Sequence, residues 1–474
     1  MFNIIFNQEL RVLSTNQTWW GVLSLLVILT VLAALNGNAR FEQMTTAAAK
    51  LNQDEVITQT ALQAGAQRYD SNPVGDPPAV TSPGNVGLSL LGHYAVMRHD
   101  VLAPLSVGQT DVQPYYYRVT AHPSHTFFSA SEIQNPLTQM TGSFDVAFVM
   151  IFVLPILIIA ISFDLMSREK EGGMLGLIAA QGVSLRTLIL AKVAARALIL
   201  LVVLLALTAL AAFLAGADLT QAQTFNTVAL WFAVVVGYAA FWFALAFLIN
   251  ALSWPSVTNG VVLANLWLLF VVVLPSIVNV IAGTLYPAPS RVHLTTEMRE
   301  ATEEADKAAA ASREAYLFDH PELAGAGGNM DGFYVQVLAT DAAVEKVVTP
   351  IMAQFAEQAG KREGVVDFLQ YTSPAIAAQQ ALNALVGTGN SHFEDFTSQV
   401  ERFHGNWRGF FVGKIVKGER MATADFDAIP KFEYAAPDAT FTRQTAYSPL
   451  MFLGLAVIVL IGWAGRRYAR YPIV

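Results

Sequence analysis

Long apolar runs alternate with polar stretches along the chain, and the length of each run limits what it can form. A bilayer core about 30 Å thick takes roughly 20 residues of helix. Five runs approach or exceed that length: Trp19 to Leu35, Phe144 to Phe163, Ala197 to Ala215, Thr227 to Ile249 and Val257 to Ile281. None holds Lys, Arg or Glu. Their single acid, Asp145, stands at one end of the second run, where it reads as an interfacial residue in reach of water. A sixth run, Leu450 to Ala464, is shorter, but Arg466, Arg467 and Arg470 follow it together with Trp463 and Tyr468, an interfacial anchor pattern. No positive region and no A-x-A-like site bracket the first run, which excludes a cleavable signal peptide. The pattern predicts six transmembrane helices, at 19–37, 143–165, 193–215, 226–250, 257–282 and 449–465.

Between the runs the pattern changes. Residues 1–18 predict an amphipathic interfacial helix, with Phe2, Ile5, Phe6, Leu10 and Leu13 on one face and Asn3, Asn7 and Arg11 away from it. Two long insertions, 38–142 and 283–447, separate the first span from the second and the fifth from the sixth. The first opens with a predicted helix from Arg40 to Arg68 that extends the first span. The Pro and Gly density of 71–85 then excludes regular structure, and 112–123 reads as β-like or extended. In the second, Leu294, Met298, Ala301, Ala305, Ala308, Ser312 and Tyr316 step by four and three opposite Glu297, Glu300, Glu303 and Glu304. Gly-rich 323–329 breaks that helix. Further helices are predicted at 333–348, across 351–386 and at 392–403. Both insertions hold too many apolar positions for disordered linkers. The expected fold is an all-α polytopic membrane protein whose extracytoplasmic domain, mainly helical with some β, is built from the two insertions.

Composition agrees with this reading. Of 474 residues, 54% are hydrophobic and 14% charged, whereas ordinary soluble domains carry about 25% charged residues. Net charge is −8, which excludes a nucleic-acid binder relying on a basic face. There is no cysteine, so disulfides and thiolate chemistry are ruled out. Nine basic residues cluster in short segments: Arg11, then Arg168, Lys170, Arg186, Lys192 and Arg196, then Arg466, Arg467 and Arg470. The positive-inside rule therefore places the 166–192 loop, the 466–474 tail and both termini in the cytoplasm. The other 19 basic residues, and all eight histidines, are spread thinly through the insertions.

The 166–192 loop carries the densest chemistry. Arg168, Glu169, Lys170 and Glu171 lead to Gly172 and Gly173, a short apolar helix reaches Ala180, and Gln181-Gly182 turns into a basic helix. A short helix held across the membrane face by two long ones suits docking to a cytoplasmic partner. Positive-inside anchoring with a Gly-Gly turn suits the same residues, and spacing alone does not choose between them. The stretch resembles the S-x-E-R-E-x-G-T-L motif of type-2 ABC exporter permeases. Ser167, Glu169, Glu171, Gly173 and Leu175 match, while Lys170 replaces Arg, Met174 replaces Thr and Gly182 stands where Pro is frequent. More narrowly, the chain looks like a subgroup with two large outer insertions, catalogued as a domain of unknown function, through 104–119, 135–158, 392–407 and 426–434.

That resemblance implies that 167–175 forms a coupling helix received by a separate ATPase. Ser167, Arg168, Glu169, Lys170, Glu171, Gly172, Gly173 and Leu175 are then the coupling residues. It further implies two copies of an ABC ATPase that bind ATP and Mg, a second permease, identical or paralogous, and export or extraction from the inner membrane of a bacterium. A periplasmic or envelope partner is a further expectation for the outer domain. The chain itself has no G-x-x-x-x-G-K-[ST], G-x-S-x-G or H-E-x-x-H, so it is expected to be non-catalytic, with no cofactor of its own.

Other constellations are weaker. His122 and His125 flank Pro123, which opposes the helix that would align them, and no carboxylate follows at metal spacing. His392 and His404 with Glu394, Asp395 and Glu401 read more readily as a solvated helix face than as a metal site. Within the spans, Tyr238, Asn265 and Asn279, with kink-forming Pro155 and Pro275, are the transport-path candidates. No buried charge marks a proton or sodium relay. Two alternatives remain: ATP-driven mechanotransmission to a periplasmic partner without cargo, and a membrane-anchored periplasmic metal-dependent enzyme.

Overall fold

The computed structural model describes residues 2–108, 110, 113–129, 144–181, 184–287, 291–307, 318, 329–437 and 439–471. Helix α1 (Phe2–Thr15) gives way to α2 (Gln17–Ser71) at Asn16, whose side-chain oxygen accepts hydrogen bonds from the Thr18 and Trp19 N–H groups at 2.9 and 3.4 Å. That cap fixes the corner between the two helices. α2 then runs unbroken for 55 residues, about 80 Å at the standard helical rise. Its apolar part is the first of six helices long and apolar enough to cross a membrane; the others are 146–171, 185–214, 222–250, 256–285 and 444–468. The chain is an all-α polytopic membrane protein.

After α2 the chain forms a 3-10 turn at Ala79–Thr81 and a helical turn at Pro83–Asn85, which corrects the expectation of no regular structure across 71–85. Ser82 explains the difference: its hydroxyl accepts from the Asn85 N–H, and Pro83 sits in the first helical turn, where its missing N–H costs nothing. Strands β1 (His93–Val96) and β2 (Tyr116–Val119) pair antiparallel, His93 opposite Val119, and α3 (Ser124–Ser129) follows.

The second span opens at Asp145. This residue is only 4% exposed, which corrects the expectation that it reaches water. One carboxylate oxygen accepts from the Phe148 N–H at 2.7 Å and the other from the Val107 N–H at 2.7 Å. It therefore caps its own helix and ties it to the first insertion. A π-helical turn at Val149–Val153 precedes α4 (Leu154–Ser162). Beyond it lie α5 (Ser167–Glu171), α6 (Met174–Ala180), α7 (Leu185–Leu214) and α8 (Ala222–Asn250). The fifth span repeats the device of the second: α9 (Ser256–Trp267), a π turn at Leu268–Val273, then α10 (Leu274–Leu285).

Pro155 and Pro275 stand two residues past the ends of these π turns. Proline gives no N–H to the carbonyl four residues back, and the wide turn shifts the ladder to i−5: Leu154 donates to Val149 and Leu274 to Leu269. Side chains from neighbouring elements supply donors to carbonyls near the breaks. The Tyr238 hydroxyl reaches the Ile151 carbonyl at 3.0 Å, the Trp267 indole N–H reaches Phe152 at 3.1 Å, and the Ser373 hydroxyl reaches Phe270 at 2.5 Å.

The second insertion supplies α11 (Arg291–Lys307), α12 (Asn329–Leu369), α13 (Pro374–Leu385) and α14 (Asn390–Val416), before α15 (Ala439–Tyr468) returns through the membrane. α12 continues through Pro350 to Leu369 instead of stopping near 348, so the helix expected across 351–386 is two helices divided at 370–373. The expected helical positions 308–316 and the Gly-rich break at 323–328 lie outside the described residues. The two insertions share one core: Leu62, Val86, Tyr117, Val119 and Phe127 pack with Phe396, Phe403, Trp407, Phe411 and Phe426. α13 leaves that domain. Its Ala375, Ala378, Ala381, Leu382 and Leu385 join the membrane-helix core, packed against α8, α15 and both π turns.

Candidate functional site

At the opposite end of the bundle from the insertions, α5 and α6 form a small hairpin fastened to the α8–α9 turn. Each polar member of the 167–171 stretch has a role. The Ser167 hydroxyl is buried 2.8 Å from that of Ser256, and Asn259 donates to it at 3.4 Å. Glu171 accepts from both the Ser256 N–H (2.7 Å) and its hydroxyl (2.9 Å). Lys170 donates to the Ser253 hydroxyl at 2.7 Å and lies 5.9 Å from the Tyr471 ring centroid. Ser253 itself has φ of 64°, the one non-glycine at positive φ among the described residues.

The other side of the stretch grips α7. Lys192, only 8% exposed, donates to Glu169 at 2.5 Å. One turn further on, Arg196 pairs with Glu9 of α1 at 2.8 Å, approaches Asp164 at 3.9 Å and donates to the Ile161 carbonyl. Arg168 remains largely exposed beside Asp164. Asn250, at the end of α8, accepts from the Met166 N–H and donates to the Ser162 carbonyl, which closes the base of the hairpin.

The turn between α5 and α6 needs its glycine: Gly173 has φ of 69°, a conformation costly for any residue with a Cβ. Beyond it the faces of α6 differ. Leu175 is buried among Leu165, Met166, Leu188, Ile189 and Phe247. Met174, Gly176, Leu177, Ala180 and Gln181 are exposed. Of the eight residues singled out in this loop, Ser167, Glu169, Lys170, Glu171 and Leu175 hold the hairpin, Gly172 and Gly173 turn it, and Arg168 faces outward. Gly182 lies outside the described residues. The sequence reading missed Lys192, Asn250, Ser253, Ser256 and Asn259 as partners. For Ser253 and Ser256 the available signal was the SWPS turn at 253–256, a break between two apolar runs.

The transport-path candidates do not converge. Tyr238 and Pro155 are buried together at the second-span π turn. Pro275 is half-buried at the fifth-span turn. Asn265 is exposed on the outside of the bundle, where its amide donates to Val261 one turn back at 2.8 Å. Asn279 lines a cavity of about 1010 Å³ between the ends of α10 and α15 and helices α12, α13 and α14.

The histidines fall in two places. His122 pairs with Asp341 of α12 at 2.9 Å, and His404 donates to the His122 carbonyl at 2.7 Å. His125 and the Arg408–Glu345 pair lie nearby. Burial holds His125 and His404 below the usual imidazole range. His392 instead packs against the Gly387 turn, Glu394 shares Asn390 with Glu363, and Asp395 binds Gln399. The suggested His392–His404 cluster is therefore not assembled. Among the described residues, no three His, Asp or Glu side chains come together to hold a metal ion.

Residues 291–435 match the model of a family described as "Domain of unknown function (DUF3526)". The match spans α11 to α14 and the segment after them; it leaves out the loop hairpin and all six candidate spans. No curated protein matches the chain.

Proposed function

We propose that this chain is the permease subunit of an ATP-driven ABC exporter, moved by a separate ATPase that grips the 167–181 hairpin. The hairpin itself carries the reading. Glu171, Lys170 and Ser167 bind the α8–α9 turn and Glu169 binds Lys192 of α7, so a force on α6 meets three spans at once. Meanwhile Met174 and Leu177, 49% and 61% exposed, offer a small apolar face that no described residue covers. Chemical energy would reach the spans as a difference in contacts between two states of this face.

On this reading the hairpin and both termini are cytoplasmic, the insertions stand in the periplasm of a bacterial inner membrane, and two permeases (identical or paralogous) work with two ATPases. The chain is the non-catalytic part; ATP and Mg belong to the partner. Purification in mild detergent should bring down an ABC ATPase with the chain. Absence of any such ATPase would refute the proposal.

One observation favours a second reading, force transmission to a periplasmic partner without cargo. α2 is a continuous rod from the bundle into the outer domain, where Gln59 donates to the Phe426 carbonyl at 2.6 Å. ATP-dependent movement between spin labels on the outer domain and on the bundle, with no cargo present, would support transmission. Its absence alongside cargo-stimulated hydrolysis would support export.

A further inference from the structure

The cavity of about 1010 Å³ at the junction of bundle and outer domain is large enough for a drug-sized ligand. Its α12 wall presents Gln358, Arg362, Glu363, Val366 and Asp367 along one face, and its floor is the end of the fifth span at Asn279, Ala282 and Gly283. Arg362 is held by its Nε, which donates to the Tyr286 carbonyl at 2.5 Å at the end of α10. Its two terminal nitrogens have no partner among the described residues, although a guanidinium fork is built to grip an oxyanion. Gly283 lies alongside: a Cβ there would sit 3.8 Å from one of those nitrogens. The Gln358 carboxamide oxygen is also sealed from water without a hydrogen bond.

Carboxyl groups stand next to the fork on the same helix. Glu363 accepts from Asn390 at 2.6 Å, and Gln380 lies 3.4 Å from Asp367. Burial raises both carboxyls above their usual range, and Glu394 adds to the effect on Glu363. A bound cation would relieve that cost. Thus the cavity holds an unsatisfied oxyanion gripper and carboxylates in want of a cation within one chamber. The cavity lies at the ends of two candidate membrane spans, 256–285 and 444–468, where polar Asn279, Thr445 and Ser448 line it and Val280, Ile281, Leu285 and Met451 nearby are exposed and apolar, a mixture that fits the level of lipid headgroups.

We propose that this cavity binds the headgroup of an aminophospholipid, with the phosphodiester oxygens on Arg362 and the primary ammonium against Glu363 and Asp367. The same ammonium–phosphodiester chemistry exists in soluble glycerophosphoethanolamine, but the position of the cavity at the ends of two candidate membrane spans, beside exposed apolar Val280, Leu285 and Met451, favours a lipid. Neither the hairpin nor a motor enters this assignment.

Native mass spectrometry of the full-length protein released from detergent, with phosphatidylethanolamine, phosphatidylcholine and phosphatidylglycerol added in turn, tests it. Phosphatidylethanolamine should be retained most strongly, because phosphatidylcholine lacks the N–H donors and phosphatidylglycerol the cation. Arg362→Gln and Glu363→Gln should each weaken its retention on the order of tenfold, as expected for a charge-assisted bond. Gly283→Leu, which leaves both charges in place but fills the floor beside the guanidinium, should do the same and serves if the charge variants fold poorly. Equal retention of the three lipids, unchanged retention in all three variants, or full displacement by equimolar glycerophosphoethanolamine would each overturn the lipid assignment.

Discussion

Ser253 occupies a backbone conformation that costs a non-glycine residue about 1 kcal/mol or more. What it offers in return is a hydroxyl for Lys170. Replacing it with glycine should relax the backbone yet loosen the hairpin, seen as faster hydrogen exchange across 167–173 with no loss of membrane insertion. Glu171→Lys is the sharper test: it sets an ammonium against the Ser256 N–H donor and should abolish coupled ATP hydrolysis while insertion persists. Wild-type hydrolysis in that variant would count heavily against a motor acting here. Outside the membrane, His99 lies against Phe41, and burial pushes its pKa down to about 4. The unfolded chain takes up that proton near 6.5 and the folded chain only near 4, so the unfolded state binds more protons in between and stability rises with pH across that window. The His99 contribution, roughly 3 kcal/mol at most, is complete above pH 6.5 and lost as pH falls toward 4. His99→Phe should flatten this part of the profile of melting temperature against pH. The sequence marks Ser167, Lys170 and Glu171 but not their partners, nor the burial of His99. Contacts between residues 83 to 92 positions apart, such as Lys170–Ser253 and Ser167–Asn259, leave no periodic trace.

Elements were more legible, because a lipid-spanning helix has to be long and apolar. Every one of the six apolar runs overlaps a helix able to cross a bilayer. The sequence also marks Pro155 and Pro275 as kinks, but not that each follows a π turn. The helical character of α13 was legible, but its place among the membrane helices was not, because PAIAAQQALNAL is too short and too rich in amides to read as a membrane element and its burial depends on where its neighbours place it. Ser373 both caps α13 and serves the Phe270 carbonyl. Ser373→Ala removes both functions and should cost about 2 kcal/mol, measured as a lower melting temperature in detergent; Ser373→Thr should restore most of it. The two faces of α6 give a second test at this scale. Leu177→Asp should keep the fold and lose the ATPase from the purified complex, whereas Leu175→Asp should lower folded yield, since it buries a charge in the hairpin core.

At the scale of the whole molecule, the long rod α2 and the returning wedge α13 are two of the links between the bundle and the outer domain, beside the Asp145–Val107 and Arg362–Tyr286 contacts. A proline at Ala49, on an exposed stretch of α2, should kink the rod by removing one helical hydrogen bond. The outer domain should stay resistant to limited proteolysis, and under the proposed force transmission its ATP-driven displacement, read between spin labels, should shrink. Displacement unchanged by the kink would assign the transmission to the other links, α13 and the Asp145–Val107 and Arg362–Tyr286 contacts. The shared core has a practical consequence for anyone excising the stretch matched by the family model. Cut out at 291–435, it would carry Phe396, Trp407 and Phe411 without Val86, Tyr117 and Val119, and it would expose to water the alanine-and-leucine ridge of a helix meant to lie among lipid-spanning neighbours. Such a fragment is bounded by evolutionary bookkeeping and not by foldability, and it should aggregate unless the earlier insertion is supplied alongside it.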